Sequence, residues 1–107
     1  MGAAVKLNAA DWEKEVLGSA TPVAVDFGAT WCGPCQALAP QFDKIATEFA
    51  GKAKLFKVDV DDNGDLAAEF GIQSVPTILF FKGGKKVDSV LGNQPDAIKK
   101  KLQALVG

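Results

Sequence analysis

Apolar runs typical of buried strands alternate with helical patterns along this chain, and this alternation limits its fold more than any other feature. Residues 22–29 read PVAVDFGA, a nearly continuous apolar run of the kind found in strands covered on both faces. A helical pattern follows over residues 32–50, with an inner apolar stripe formed by Leu38, Phe42, Ile45, Ala46 and Phe49. Residues 54–59 read as the next strand. This order predicts an α/β domain.

A further helix is predicted near the start of the chain. Residues 4–7 form a short apolar segment, after which Asn8 is expected to cap a helix that continues through Leu17. Trp12 and Val16 are four residues apart and are expected on the buried face of this helix. Later in the chain, Asn63 is expected to cap a short helix.

The last third of the chain predicts an edge hairpin and a final helix. Gly83-Gly84 separates strand-like runs at residues 77–82 and 86–91, which indicates an antiparallel pair. Pro95 lies near the start of an amphipathic helix. We therefore expect one domain over residues 1–107: a three-layer α/β sandwich whose mixed central sheet has a parallel core, an antiparallel edge hairpin and helices on both faces.

The charge balance argues against nucleic-acid or membrane partners. Twelve lysines and thirteen acids leave a formal net charge of -1, so no strong positive field is expected. The one basic run, Lys99-Lys100-Lys101, is interpreted as the solvated face of the last helix. No apolar run reaches the roughly 18 residues of a membrane-spanning helix, and no signal-peptide core is visible at the start. These features favour a cytoplasmic protein, with a mature organellar form as the alternative.

Cys32 and Cys35 are the only cysteines, and the chain has no histidine. A structural zinc site needs four ligands, so it would require carboxylates or a second subunit. A purely structural disulfide is disfavoured because so small a loop adds little stability. A Cys-His hydrolase is excluded for lack of a base. Reversible dithiol chemistry fits the pair best.

The position of the pair predicts different roles for its two sulfurs. Cys32 lies at a helix N-terminus, where free N–H groups and the helix dipole favour a thiolate, so we expect it to be the attacking sulfur. Cys35 follows one turn later, is expected to be shielded, and would resolve the mixed disulfide. Pro34 limits the backbone between them and has no N–H to leave unpaired.

Asp26 is an acid within the apolar run that leads to the cysteines. A buried carboxylate is costly without a partner, so Asp26 should either pair or hold its proton more tightly than usual. It is the best candidate to accept the proton of Cys35, unless it lies at a strand edge and reaches solvent. Asp59 and Asp61 are interpreted as solvated or turn-forming acids.

Several motifs in order resemble the thioredoxin family along the whole chain. They are WCGPC after VAVDF, Asp26 before that motif, Pro40 in the following helix, VDVD at residues 58–61, SVPT at residues 74–77, the glycine pair and Gly92. The resemblance implies a thioredoxin fold and a general protein disulfide reductase without a bound cofactor. It also implies a monomer, disulfide-containing client proteins, and reduction by a thioredoxin reductase that draws on NADPH or ferredoxin.

The resemblance also implies a set of supporting residues. Lys57 would lie near Asp26 and tune its protonation, although a lysine reaching the surface is the simpler alternative. Pro76 would be a cis-proline facing the cysteines, so that the backbone of Val75 could pair with an extended substrate. The implied docking surface consists of Trp31, Gly33, Pro34, Val75, Pro76, Leu91 and Gly92. For Leu91, ordinary strand packing is the alternative.

The sequence departs from the family pattern in three places. Gly28 stands where bacterial members commonly carry tryptophan and many eukaryotic ones serine or threonine, so we expect looser packing beneath the active site. Gln36 replaces the lysine or arginine often found after the second cysteine. The GNQPD segment at residues 92–96 also differs, which bears on partner preference.

Two other functions remain open at this stage. One is an exported disulfide oxidant or isomerase, which a less negative reduction potential would favour. The absence of histidine between the cysteines argues for reduction instead, because strongly oxidising relatives of the fold usually carry one there. The other is a structural subunit of a larger assembly, in which the redox state has no role.

Overall fold

The computed structural model describes residues 4–107. The strands are β1 (Val5–Lys6), β2 (Val23–Gly28), β3 (Lys54–Asp59), β4 (Thr77–Lys82) and β5 (Lys85–Leu91). The α-helices are α1 (Gly33–Glu48), α2 (Gly64–Glu69) and α3 (Pro95–Val106). The predicted order of elements is therefore confirmed, and α1 continues through Pro40 as one element.

The strands form one mixed sheet in the order β1-β3-β2-β4-β5. Strand β3 pairs in parallel with both β1 and β2, whereas β2 pairs with β4, and β4 with β5, in antiparallel fashion. The parallel core and the antiparallel edge hairpin are both as predicted. Strand β2 is the central strand of the sheet. The residues that follow its C-terminal end, including the cysteine pair, therefore lie beside the middle of the sheet and not beside an edge strand.

The side chains of each strand alternate between two apolar layers, one on each face of the sheet. Ala24, Ile78 and Phe80 pack with helices α1 and α3, where Phe42 and Leu102 are fully buried. The opposite layer contains Val16, Val25, Val58, Leu66 and Phe81, which come from the first helical segment, the strands and α2. Asp26 and Gly28 are two and four residues after Ala24 in the same strand, so they lie on the same face of the sheet as Ala24, towards α1.

The first helical segment is less regular than predicted. It consists of a 3₁₀ turn at Ala9–Asp11 and a π-helical segment at Glu13–Leu17, and the Asn8 side chain makes no capping hydrogen bond. Trp12 and Val16 are buried, as expected. The Trp12 ring packs against Phe27, Phe70 and Phe81 with centroids 5.2–6.1 Å apart. We attribute the irregular backbone to this burial, because tertiary packing commonly outweighs helix propensity.

Asn63 precedes α2, but its side chain does not cap that helix. Its Oδ1 accepts from the Ala9 N–H at 2.8 Å, and its Nδ2 donates to the Asp59 carbonyl oxygen at 3.0 Å. The expected local cap is therefore wrong. The side chain instead ties the end of β3 to the distant 3₁₀ turn, which explains why an asparagine is buried there.

The hairpin and the lysine run agree with the sequence analysis. Gly83 and Gly84 have φ angles of 62° and 79°, the left-handed values that a tight hairpin turn requires. On α3, Lys99 pairs with Glu48 and Lys101 with Asp88, so the basic run lies at the surface within ion pairs. No helix in residues 4–107 is long and apolar enough to span a bilayer.

Candidate active site

The two cysteines form a disulfide at the N-terminus of α1. Cys32 occupies the N-cap position, and its Sγ accepts the backbone N–H of Cys35 at 3.1 Å. This contact satisfies one of the free N–H groups that begin the helix. The same donor and the helix dipole would stabilise a thiolate on Cys32 after reduction, which favours Cys32 as the attacking sulfur.

Burial does not distinguish the cysteines in the expected way. Cys35 is buried as expected, at 9% exposed, but Cys32 is only 4% exposed, so burial does not set the two cysteines apart in the disulfide form. Two neighbours explain the difference. The carbonyl oxygen of Val75 lies 3.7 Å from the Cys32 Sγ, whereas Gly28 has no side chain to cover Cys35.

The Val75–Pro76 peptide bond is cis, as the family resemblance implied. Val75 packs against Ala29 and both cysteines. The Pro76 carbonyl oxygen accepts the N–H of Gly92 at 2.8 Å, which brings the end of β5 to the same place. The structure thus brings together three segments that are far apart in sequence.

Two large apolar side chains lie exposed beside this junction. Trp31 is 68% exposed, and its Nε1 donates to Asp61 Oδ2 at 2.8 Å, which holds the indole at the surface. Leu91 is 61% exposed and is paired in register with Thr77, next to Pro76, so the simple strand-packing alternative for Leu91 is wrong. Gly33 and Pro34 are exposed in the first turn of α1.

Asp26 is a buried carboxyl group in the central strand, not a strand-edge acid. It is 6% exposed, and its Oδ1 has no hydrogen-bond partner among the described residues. Desolvation by burial raises the pKa of Asp26 from 3.8 to about 6, and the positive charge of Lys57 opposes this shift. A carboxyl group with this pKa can both accept and release a proton near neutral pH.

Lys57 lies beside Asp26 in register on β3, but its ammonium group pairs elsewhere. Its Nζ is 3.1 Å from Asp43 Oδ1 on α1. Both expectations for Lys57 therefore hold in part, since its charge acts on Asp26 while its side chain reaches a half-exposed ion pair. Asp43 was not predicted as a site residue from the sequence. Its position eight residues after Cys35, slightly more than two helical turns, was an available signal.

The remaining polar residues near the site have structural partners. Asp59 Oδ1 accepts from the N–H groups of Asp61 and Asp62, so Asp59 forms a turn, as expected. Gln36 is exposed, and its Nε2 donates to the Thr30 carbonyl oxygen at 2.6 Å. Gln36 therefore braces the loop before the cysteines and adds no charge. The looser packing expected from Gly28 stays a prediction.

The two sulfurs at the start of α1 are arranged for thiol–disulfide exchange. One sulfur is favoured as a thiolate at a helix N-terminus, and a second sulfur within bonding distance can displace whatever the first one binds. Fold and site together define a thiol–disulfide oxidoreductase. A family model described as Thioredoxin matches residues 3–104, and the chain belongs to the thioredoxin family.

Individual relatives agree with this assignment. The chain is 50% identical to a chloroplastic M-type thioredoxin of Pisum sativum over 85% of its own length, although it spans only 53% of that protein. It is 48% identical to Thioredoxin 1 of Nostoc sp., with 89% of each chain covered. Among solved structures, a Malassezia sympodialis thioredoxin superposes with a TM-score of 0.90 at 38% identity, covering 100% of this chain and 94% of that one.

The family and the cysteine pair identify a disulfide reductase that acts by thiol–disulfide exchange through Cys32 and Cys35. Thioredoxins carry electrons on this pair without a bound cofactor and exchange them with a reductase and with disulfide-containing clients. Within residues 4–107, no group of three or more His, Cys, Asp or Glu side chains is arranged to hold a metal ion.

Proposed function

We propose that this chain is a general reductant of protein disulfides in which Cys32 attacks, Cys35 resolves and Asp26 takes the proton of Cys35. The observation that carries these roles is the contact between the Cys32 Sγ and the Cys35 N–H at the start of α1, because a thiolate gains most from that donor. The buried carboxyl group of Asp26 supports the proton transfer.

The reaction consists of two exchanges. The Cys32 thiolate attacks one sulfur of a client disulfide, and the bond between the client sulfurs breaks as the mixed disulfide forms. Cys35 then transfers its proton to Asp26 and attacks the Cys32 Sγ. This step restores the Cys32–Cys35 disulfide and releases the second client thiol. Two electrons pass to the client, and a thioredoxin reductase, dependent on NADPH or ferredoxin, returns them.

Client proteins would dock on the surface formed by Trp31, Gly33, Pro34, Val75, Pro76, Leu91 and Gly92. Within residues 4–107, the N–H of Val75 donates no hydrogen bond to the protein backbone or to a side chain, so it is free to pair with an extended client segment. Such main-chain pairing gives affinity with little sequence preference, which suits a general reductant. The exposed rings and methyl groups of Trp31 and Leu91 would flank that segment.

Lys57 would act as a positioning residue for the proton of Asp26. Lys57 is paired in register with Asp26, and its positive charge favours the ionised carboxylate. We further propose that the protein is a monomer of a reducing compartment, the cytoplasm. The chloroplastic and cyanobacterial relatives make a plastid the alternative, which localisation of the full-length gene product would decide.

The decisive experiment combines a potential with a trapping assay. The Cys32/Cys35 pair is equilibrated against a glutathione series, and the reduced fraction is read by thiol alkylation. A potential more negative than the glutathione poise is expected of a reductant. A clearly more oxidising value would instead support the exported oxidant or isomerase.

Trapping assigns the two sulfurs. With a disulfide-bonded client such as insulin, Cys35→Ser is expected to accumulate a mixed disulfide through Cys32, whereas Cys32→Ser is expected to form almost none. The opposite pattern would contradict the assigned roles. If replacement of both cysteines leaves the biological role intact, the chain serves as a structural subunit.

A further inference from the structure

An open cavity of about 300 Å³ lies beside Cys35, on the α1 face of the sheet. Ala29, Ala39 and Val58 are apolar residues of its wall, and Asp26 also lines it. The other lining residues are Lys6, Gly28, Thr30, Gln36, Lys57 and Asp59. This volume is at the lower end of the range for small-molecule pockets, about 300–1,000 Å³, so it suits a small molecule better than a protein segment.

Gly28 is the residue that leaves the sulfur of Cys35 open to this cavity. A Cβ at position 28 would lie 3.3 Å from the Cys35 Sγ and 3.8 Å from Asp26 Oδ1. Even the smallest side chain would therefore cover the sulfur on that side. At Cys32, by contrast, the Val75 carbonyl oxygen lies 3.7 Å from the sulfur, and the residue is less exposed than Cys35.

An unsatisfied polar group is buried beside the cavity. Asp26 is 6% exposed and lines the cavity, and its Oδ1 has no hydrogen-bond partner among the described residues. The Cys35 sulfur and the Asp26 Oδ1 both lie within 4 Å of the position that a Cβ on residue 28 would take, so the thiol has a carboxyl group nearby that can act as its base. We propose that this cavity is a second entrance to the site, through which small neutral electrophiles such as α,β-unsaturated carbonyl compounds modify Cys35 in the reduced protein.

The chemistry balances without any further reactant. The Cys35 thiol gives its proton to Asp26, and the thiolate adds to the β-carbon of the electrophile, forming a carbon–sulfur bond. The π-electron pair of the alkene moves to the α-carbon, which takes the proton back from Asp26. The product is a thioether, nothing is oxidised or reduced overall, and Asp26 is again a carboxylate.

The consequence of this modification rests on the proposed role of Cys35 in resolution. A blocked Cys35 cannot displace the client, but Cys32 remains free to attack it. The modified protein would therefore hold its clients as stable mixed disulfides. Reactive carbonyl compounds would convert a reductant into a trap, in the same way that Cys35→Ser does.

The test measures labelling of Cys35 alone. Reduced Cys32→Ser protein is treated with N-ethylmaleimide, and the rate of adduct formation is followed by mass spectrometry. Gly28→Ala is expected to slow labelling by about tenfold, because its Cβ closes the contact with the sulfur in a close-packed environment. Gly64→Ala is the matched control, since a Cβ there meets no atom within 4 Å. Its labelling rate should equal that of the parent.

Two results would overturn the proposal. One is an equal labelling rate in Gly28→Ala and Gly64→Ala. The other is a rate that rises with urea in proportion to the unfolded fraction, which would mean that the reagent reaches Cys35 only after unfolding. Neither result touches the reductase function, because this assay involves no client. In a second arm, Cys35 of the wild-type protein is labelled while Cys32 is protected as a mixed disulfide with a small thiol, and the protecting group is then removed by reduction. This product should retain insulin as a mixed disulfide, and rapid release would contradict the trap.

Discussion

At the scale of single residues, Asp26 is buried, its Oδ1 has no hydrogen-bond partner among the described residues, and its pKa is raised. Its pKa is raised to about 6, so the folded protein binds a proton more tightly at this position than the unfolded chain does. Between pH 3.8 and about 6 the folded state holds more protons at this site. The free energy of unfolding therefore decreases as the pH rises through this window, and the full penalty applies above it.

Asp26→Asn is accordingly expected to stabilise the oxidised protein at pH 7. The free energy of unfolding is expected to rise by up to roughly 3 kcal/mol, since each unit by which the pKa is raised corresponds to about 1.4 kcal/mol. Urea unfolding at pH 4 and at pH 7 measures it, and the two proteins should differ little at pH 4. Asp62→Asn, which replaces an exposed acid, is the control and should leave the free energy of unfolding unchanged at both pH values. A gain of equal size at both pH values would show that ionisation is not the cause.

Asp43 is expected to affect Asp26 through Lys57. In the wild-type protein the Asp43 Oδ1 lies 3.1 Å from the Lys57 Nζ and holds the ammonium group in an ion pair. Asp43→Asn removes this partner of Lys57 and also removes a negative charge. Both changes favour the ionised form of Asp26, so its pKa should fall below about 6. Carboxyl-carbon NMR titration of Asp26 measures the shift. Glu48→Gln on the same helix, whose partner is Lys99, should leave it unchanged.

At the scale of elements, the β4–β5 turn shows how one contact distinguishes two neighbouring glycines. Both have left-handed φ angles, so alanine at either position should cost about 1 kcal/mol of backbone strain. A Cβ at Gly84 would also lie 2.9 Å from the Leu17 carbonyl oxygen, whereas a Cβ at Gly83 meets nothing within 4 Å. Gly84→Ala should therefore lower the urea midpoint clearly more than Gly83→Ala. Equal midpoints would mean that the turn does not pack on the first helical segment.

The Asn63 bridge connects β3 with the 3₁₀ turn. Asn63→Ala removes both hydrogen bonds of the buried amide, to the Ala9 N–H and the Asp59 carbonyl oxygen. We expect a loss of about 2 kcal/mol in the free energy of unfolding, at about 1 kcal/mol for each bond. Hydrogen exchange should show faster exchange of the Ala9 N–H. Asn93→Ala, at an exposed position, is the control; a loss as large there would remove the argument for the bridge.

At the scale of the whole molecule, the protected sheet edges favour a monomer. Strand β1 has only two residues, and β5 carries exposed Lys85 and Lys86, a composition that discourages edge-to-edge pairing. The radius of gyration is 12.3 Å, close to the roughly 13 Å expected for one compact domain of this length. Light scattering should give 11.2 kDa at all concentrations. A doubled mass would contradict the proposed monomer.

Most of the architecture was predictable because its signals are local. The bounds of β3 and β4 match the predicted strands, since apolar alternation and flanking turn residues are read directly from the chain. The burial of Phe42 and Ile45 followed from helical spacing alone. The first helical segment was predicted less well, because its irregular backbone depends on aromatic rings that come from β2, β4 and the end of α2.

The chemistry of the site could be predicted from local sequence, because a CxxC pair between a buried strand and a helix can be recognised from spacing and residue type. Tertiary structure alone decided which sulfur is covered, which partner Lys57 takes and which cavity Gly28 opens. Each of these depends on atoms from different segments of the chain meeting within about 4 Å, the distance at which packing contacts form: Cys32 with Val75, Lys57 with Asp43, and position 28 with Cys35. No short-range pattern encodes such a meeting, so only the folded chain could reveal it.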